Sequence, residues 1–175
     1  MLTRLPLFAP AQAARPIAWR DGREIQLVEF ALDVAAVAST LPARSAMLNL
    51  CEDRYRFLAA YAAALSVGHA ALLPPTRTEQ VLKEIEAAHP GSYRWEDAVV
   101  DAALSVPQAA ASIDLEIAAE QIATIGFTSG STGRPQSYSK DWRSVNGSSA
   151  RELRFLRAAR ACSPRSTCGC PHPSC

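Results

Sequence analysis

Two short runs, Ser45 to Leu50 and His69 to Leu73, flank a helical pattern, and this spacing constrains the fold more than any other feature of the chain. Each run suits a buried strand. Between them Phe57, Leu58, Tyr61, Ala62 and Leu65 recur at helical spacing, with Asp53 placed to cap the helix and Gly68 to end it. Two strands joined through a helix pair in parallel rather than as a hairpin. The pattern then repeats. Pro74-Pro75 breaks the second run, and Thr76-Arg77-Thr78-Glu79 reads as a capping box. The following helix carries Val81, Leu82 and Ile85 and stops at Pro90-Gly91. The expectation is an α/β class with a largely parallel sheet and flanking helices, in which Leu48, Leu50, Leu72, Leu73, Ile122 and Ile125 sit on strands buried on both sides.

The flanks are less regular. Pro16 to Trp19 and Glu24 to Val28 surround Arg20-Asp21-Gly22-Arg23, and Asp-Gly between apolar runs predicts a hairpin. Phe30, Val34, Val37 and Leu41 then predict a helix ended by Pro42. Tyr93 to Ser112 is Ala-rich and fits either state, and Gln121 to Phe127 reads as the last strand. The net charge is +1, so the basic surplus of a nucleic-acid binder is missing. No apolar run approaches the roughly 20 residues of a membrane span. Pro6 and Pro10 interrupt the apolar start too early for a secretory leader, and the expected compartment is the cytoplasm.

Directly after the last strand come Thr128, Ser129, Gly130, Ser131, Thr132 and Gly133, four hydroxyls and two glycines in six positions. Glycine lets successive backbone N–H groups converge, and the hydroxyls add donors that rotate to suit phosphate oxygens. A polyphosphate is the ligand this combination suits; a polar surface turn would have the same composition. The Walker A pattern is absent, and the G-x-S-x-G hydrolase elbow fails because Thr128 holds its central place.

The nine residues from Phe127 to Pro135 resemble the aromatic-T-S-G-[ST]-T-G-x-P signature of the adenylate-forming superfamily of acyl- and aryl-CoA synthetases, adenylation domains and luciferases. Upstream, Leu48-Asn49-Leu50 and the stretch from Gly68 to Pro74 are similar to that family's N-terminal subdomain, so the resemblance spans roughly residues 16 to 146. It implies a loop that holds the β- and γ-phosphates of ATP with Mg²⁺ while a carboxylic acid attacks the α-phosphorus. The resulting acyl-adenylate would then pass to a thiol of coenzyme A or an acyl-carrier protein. Thr128, Ser129, Gly130, Ser131, Thr132 and Gly133 are the implied phosphate ligands. Where the family usually has Lys after the proline, this chain has Gln136, and Pro-Gln resembles a subgroup of acyl-AMP ligases encoded with lipid or polyene pathways. A neutral amide cannot replace an ammonium beside a phosphate. Lys140 could approach from the following turn, or is a solvated surface lysine. The resemblance also implies an N-terminal part of an adenylation domain over 1–160, inactive alone. The alternative is a non-catalytic nucleotide- or partner-binding module using the same loop.

Other residues read as structural. Cys51 fits a reduced core thiol, and Glu52 and Asp53 fit a helix start. His69 and His89 lack a Cys or acid at ligand spacing. The remaining cysteines (Cys162, Cys168, Cys170, Cys175) crowd the segment 161–175, which is rich in Ser, Pro and Arg. Its spacing matches no usual zinc pattern. The composition is what an out-of-frame reading of a GC-rich gene gives, so an irregular tail is expected there.

Overall fold

The computed structural model describes residues 3–8, 16–20, 22–106, 115–129 and 135–148, with the backbone alone for Ser129 and Pro135. The expectation for the tail lies outside these residues. Strand β1 (Arg4–Pro6) pairs antiparallel with β7 (Glu116–Ala118), a contact that the sequence pattern does not announce. Strands β2 (Pro16–Arg20) and β3 (Arg23–Gln26) form the expected hairpin, and Gly22 turns it at φ +76°. Val28 belongs not to that hairpin but to helix α1 (Leu27–Thr40), whose buried face includes Phe30, Val34 and Val37.

The main sheet has the order β6-β4-β5-β8-β9. Its first members are β4 (Ala46–Asn49), β5 (Ala70–Leu73) and β6 (Ser92–Trp95), with β4 parallel to both neighbours. Strand β8 (Ile122–Ser129) runs parallel to β5, and β9 (Pro135–Asp141) closes the edge antiparallel to β8. Helices α2 (Arg54–Ser66), α3 (Glu79–Ala88) and α4 (Asp97–Leu104) form the connections. Alternation along β4 assigns the two faces. Met47 packs with α1, α2 and α4, whereas Leu48 packs with Leu72 and with Leu82 and Ile85 of α3. Met47, Leu48 and Leu72 are fully buried. The sheet is therefore covered on both faces around β4, as a parallel sheet requires.

Four expectations need correction. The buried face of α2 is built from Tyr55, Ala59, Ala60, Ala62, Ala63, Ala64 and Leu65, while Leu58 is 48% exposed and Phe57 and Tyr61 are half-buried. Alanines let α2 lie close to the sheet and α1, which turns its larger side chains outward. The capping box fails because α3 starts after Thr78 without a side-chain cap. Arg94 instead draws the Glu79 carboxylate away, at 2.8 and 2.9 Å. Ile122, at the start of β8, is 40% exposed rather than buried, and Leu73 and Ile125 are half-buried. The segment after the loop is strand β9 rather than a turn, and helix begins only at 142.

His69 is structural, as expected. It is buried, and its Nδ1 lies 2.8 Å from the Tyr93 hydroxyl across β4. Burial holds the imidazole below its ordinary value. The unfolded chain thus binds the proton more readily than the folded one, so this contribution is intact above about pH 6.5 and falls as pH drops through the folded value. Denaturant unfolding should show stability declining from pH 7 toward 5.5, and His69→Phe should flatten that decline. An unchanged slope in the variant would remove His69 from the account.

Candidate functional site

The candidate site stands where the parallel strands end. Strand β8 carries Thr128 and Ser129 to the edge at which β4 and β5 also finish, and Ser129 pairs with Pro135 on β9. The ladder therefore fixes both ends of the loop. Gly130, Ser131, Thr132 and Gly133 lie outside the described residues. Thr128 is exposed, and its Oγ1 donates to the Gln136 carbonyl at 3.4 Å. Two residues below, the Tyr138 ring lies over Gly126, where a Cβ would fall 2.4 Å from the ring. The glycine lets the ring rest on the strand.

Lys140 is exposed and paired with Thr124. It stands five positions beyond Pro135, which at about 3.3 Å per residue puts it roughly 17 Å down the strand from Pro135. The ladder thus brings Thr128, Ser129 and Gln136 together and carries Lys140 away from them.

A crevice opens beyond the ends of β4 and β5. Strand β4 leads into α2 on one face and β5 into α3 on the other, and such divergence opens a cleft beyond the strand ends. Its walls are braced by residues that sequence reasoning passed over. Asn49, almost fully buried, accepts from the Cys51 N–H at 3.2 Å and donates to the Phe57 carbonyl at 3.1 Å. Asp97 accepts from the N–H groups of Glu52 and Asp53 at 3.1 and 3.4 Å. Asp53 caps α2 as expected, taking the Arg56 N–H at 2.9 Å. Asn49 had a legible signal, a polar residue inside a run that otherwise reads as core. Asp97 had none, because its role depends on β6 lying beside β4.

Arg77 crosses the crevice, donating to the Cys51 carbonyl at 2.8 Å and to the Glu52 carboxylate at 2.5 Å. Burial, reinforced by the Asp97 carboxylate, pushes the Cys51 thiol up to about 12, so it stays protonated and is no nucleophile at neutral pH. Among the described residues no group of three or more His, Cys, Asp or Glu side chains could hold a metal. A Mg²⁺ here would be carried by phosphate oxygens, a usual arrangement for that ion. The hydroxyl and glycine donor set fits such a phosphate-borne complex. No described helix is long and apolar enough to cross a membrane.

No known family profile matches the chain, and no curated protein matches it at the sequence level. Solved structures do resemble it. The o-succinylbenzoate CoA synthetase of Bacillus subtilis, with a product analogue, superposes at a TM-score of 0.68 and 17% identity, over 88% of this chain and 37% of that one. The same enzyme with its acyl-adenylate intermediate gives 0.62 and 18%, over 88% and 47%. The N-terminal subdomain of Klebsiella oxytoca NpsA, bound to 3-hydroxybenzoyl-AMSN, gives 0.60 and 19%, over 76% and 38%. The chain thus spans less than half the length of these relatives. Its sheet, helices and loop position together give it the fold of the N-terminal subdomain of the adenylate-forming enzymes.

Proposed function

We propose that the chain is the phosphate-binding part of an ATP-dependent acyl or aryl ligase. Its parent activity would convert a carboxylic acid to an acyl-adenylate and transfer the acyl group to the thiol of coenzyme A or an acyl-carrier protein. The observation that carries this reading is the position of the Thr128–Gly133 motif, at the C-terminal end of a parallel strand in a fold whose solved relatives hold AMP or an acyl-adenylate. In this reading the hydroxyls and backbone N–H groups of the loop bind the β- and γ-phosphates, and β9 anchors the loop's far end. ATP brings the Mg²⁺ that neutralises those phosphates. In this reading Lys140 takes no part in that grip, a choice supported by its pairing with Thr124 rather than with the loop end of β8.

The chain alone binds the nucleotide and does not turn it over. Stabilising charge at the α-phosphorus needs donors placed around it, and this chain corresponds to only 37% to 47% of the synthetase chains. Calorimetric titration with Mg·ATP should show saturable binding that Thr132→Ala weakens about tenfold, the worth of one charge-assisted hydrogen bond. Acid-dependent exchange of pyrophosphate into ATP should be absent. Exchange by the intact chain, lost in Thr132→Ala, would show that these residues suffice for catalysis.

A further inference from the structure

The crevice has a hollow whose lining residues the nucleotide reading leaves unassigned. A hollow of about 450 Å³ opens beside the β4–α2 connection, lined by Cys51, Glu52, Arg54, Phe57, Leu58 and Arg77. That volume suits a small organic ligand. Its apolar side consists of Cys51, Phe57 and Leu58, and Phe57 stacks parallel to Tyr61 with ring centroids 6.4 Å apart, which stiffens the wall. Leu58 leaves 48% of its surface exposed here, a cost in water that an apolar ligand would remove.

The polar side carries an excess of cation. Arg54 pairs with no described residue, and Arg77 shares its charge with Glu52 alone. Two guanidiniums thus face one carboxylate. Glu52 is a weak competitor, because its side chain is 79% exposed and a pair so solvated contributes little. A planar carboxylate matches the guanidinium fork and leaves the hollow neutral, whereas a phosphate dianion would meet stronger repulsion from Glu52.

We propose that this hollow binds a monocarboxylate with an aromatic or compact apolar body, its carboxylate held by Arg54 and Arg77 and its body lying on Phe57 and Leu58. The Arg77–Glu52 pair also walls off a neighbouring hollow of about 400 Å³, so a carboxylate that replaces Glu52 at Arg77 joins the two into one cleft. With β5 between β4 and β8, the site lies about 10 Å across the sheet from the foot of the phosphate loop. It does not depend on the nucleotide reading.

Benzoate is the probe, titrated into the intact chain and followed by calorimetry and amide shifts, with neutral benzamide and inorganic phosphate as comparisons. Saturable benzoate binding is expected, with benzamide and phosphate each about tenfold weaker or more. Arg54→Gln and Arg77→Gln should each weaken benzoate about tenfold. Glu52→Gln should tighten it several-fold by freeing Arg77, a gain that a merely structural role would not give. Thr132→Ala should leave benzoate unaffected, so failure here and failure of the nucleotide reading are told apart. If Arg77→Gln unfolds, Arg54→Gln carries the test, since its side chain supports no described contact. No benzoate binding at about 20 mM, benzamide equal to benzoate, phosphate equal to benzoate in the amide shifts of Arg54, Phe57 and Arg77, or Glu52→Gln without gain would each overturn the proposal.

Discussion

Leu48→Ala is expected to lower the unfolding free energy by about 3 kcal/mol, within the range measured for fully buried leucines. Leu48 is 0% exposed at the centre of β4, and its neighbours Leu72, Leu82 and Ile85 come from two other segments of the chain, β5 and α3. Parallel strands packed beneath a helix cannot collapse easily into the space that three lost carbons leave. The loss is large beside the 5–15 kcal/mol typical of a domain. Urea unfolding should therefore show a much lower midpoint with the slope unchanged. A loss below about 1 kcal/mol would mean that the face between the sheet and α3 is not closely packed.

The second large effect has the opposite geometry. Ala63 is 0% exposed on α2, in the cluster that joins α1, α2 and α4 to the sheet. Ala63→Leu forces extra carbons into a contact that is close because the residue is small, and should cost about 2–3 kcal/mol. Leu58→Ala, five residues earlier on another face of the helix and half exposed, should cost under about 1 kcal/mol. Helical periodicity ranks these two positions the other way round. Unfolding of both variants decides between them, and a larger loss at Leu58 would show that α2 presents its leucine face to the core.

That contrast shows what the sequence could and could not reveal. The runs around Leu48 and Leu72 were legible as parallel strands because both of their faces are covered, which leaves a continuous apolar signature. The packing face of α2 was not, because its contact rests on alanines, whose small size matters only once a neighbour is in place. Strand β9 was illegible for a related reason. Gln136, Ser137, Tyr138, Ser139 and Lys140 are all exposed, so the segment has no burial face and takes its shape from the ladder with β8. Thr76 and Glu79 match a capping box locally, but the Glu79 carboxylate faces Arg94, fifteen residues on, and the charged pair prevails. The hydroxyl and glycine pattern of the loop could be read directly. That β8 ends on the same edge as β4 and β5, and that Lys140 pairs with Thr124 rather than near the end of β8, follow only from strand order and register.

The central claim is that the loop at the end of β8 grips a polyphosphate. Amide shift mapping of the isotopically labelled chain with Mg·ATP tests it most directly. Saturable shifts are expected to concentrate at Thr128–Gly133 and at Gln136 across the ladder, with Lys140 and the α3–β6 connection near Gly91 unmoved. Saturable shifts centred on Lys140 or Gly91, with Thr128–Gly133 silent, would contradict it.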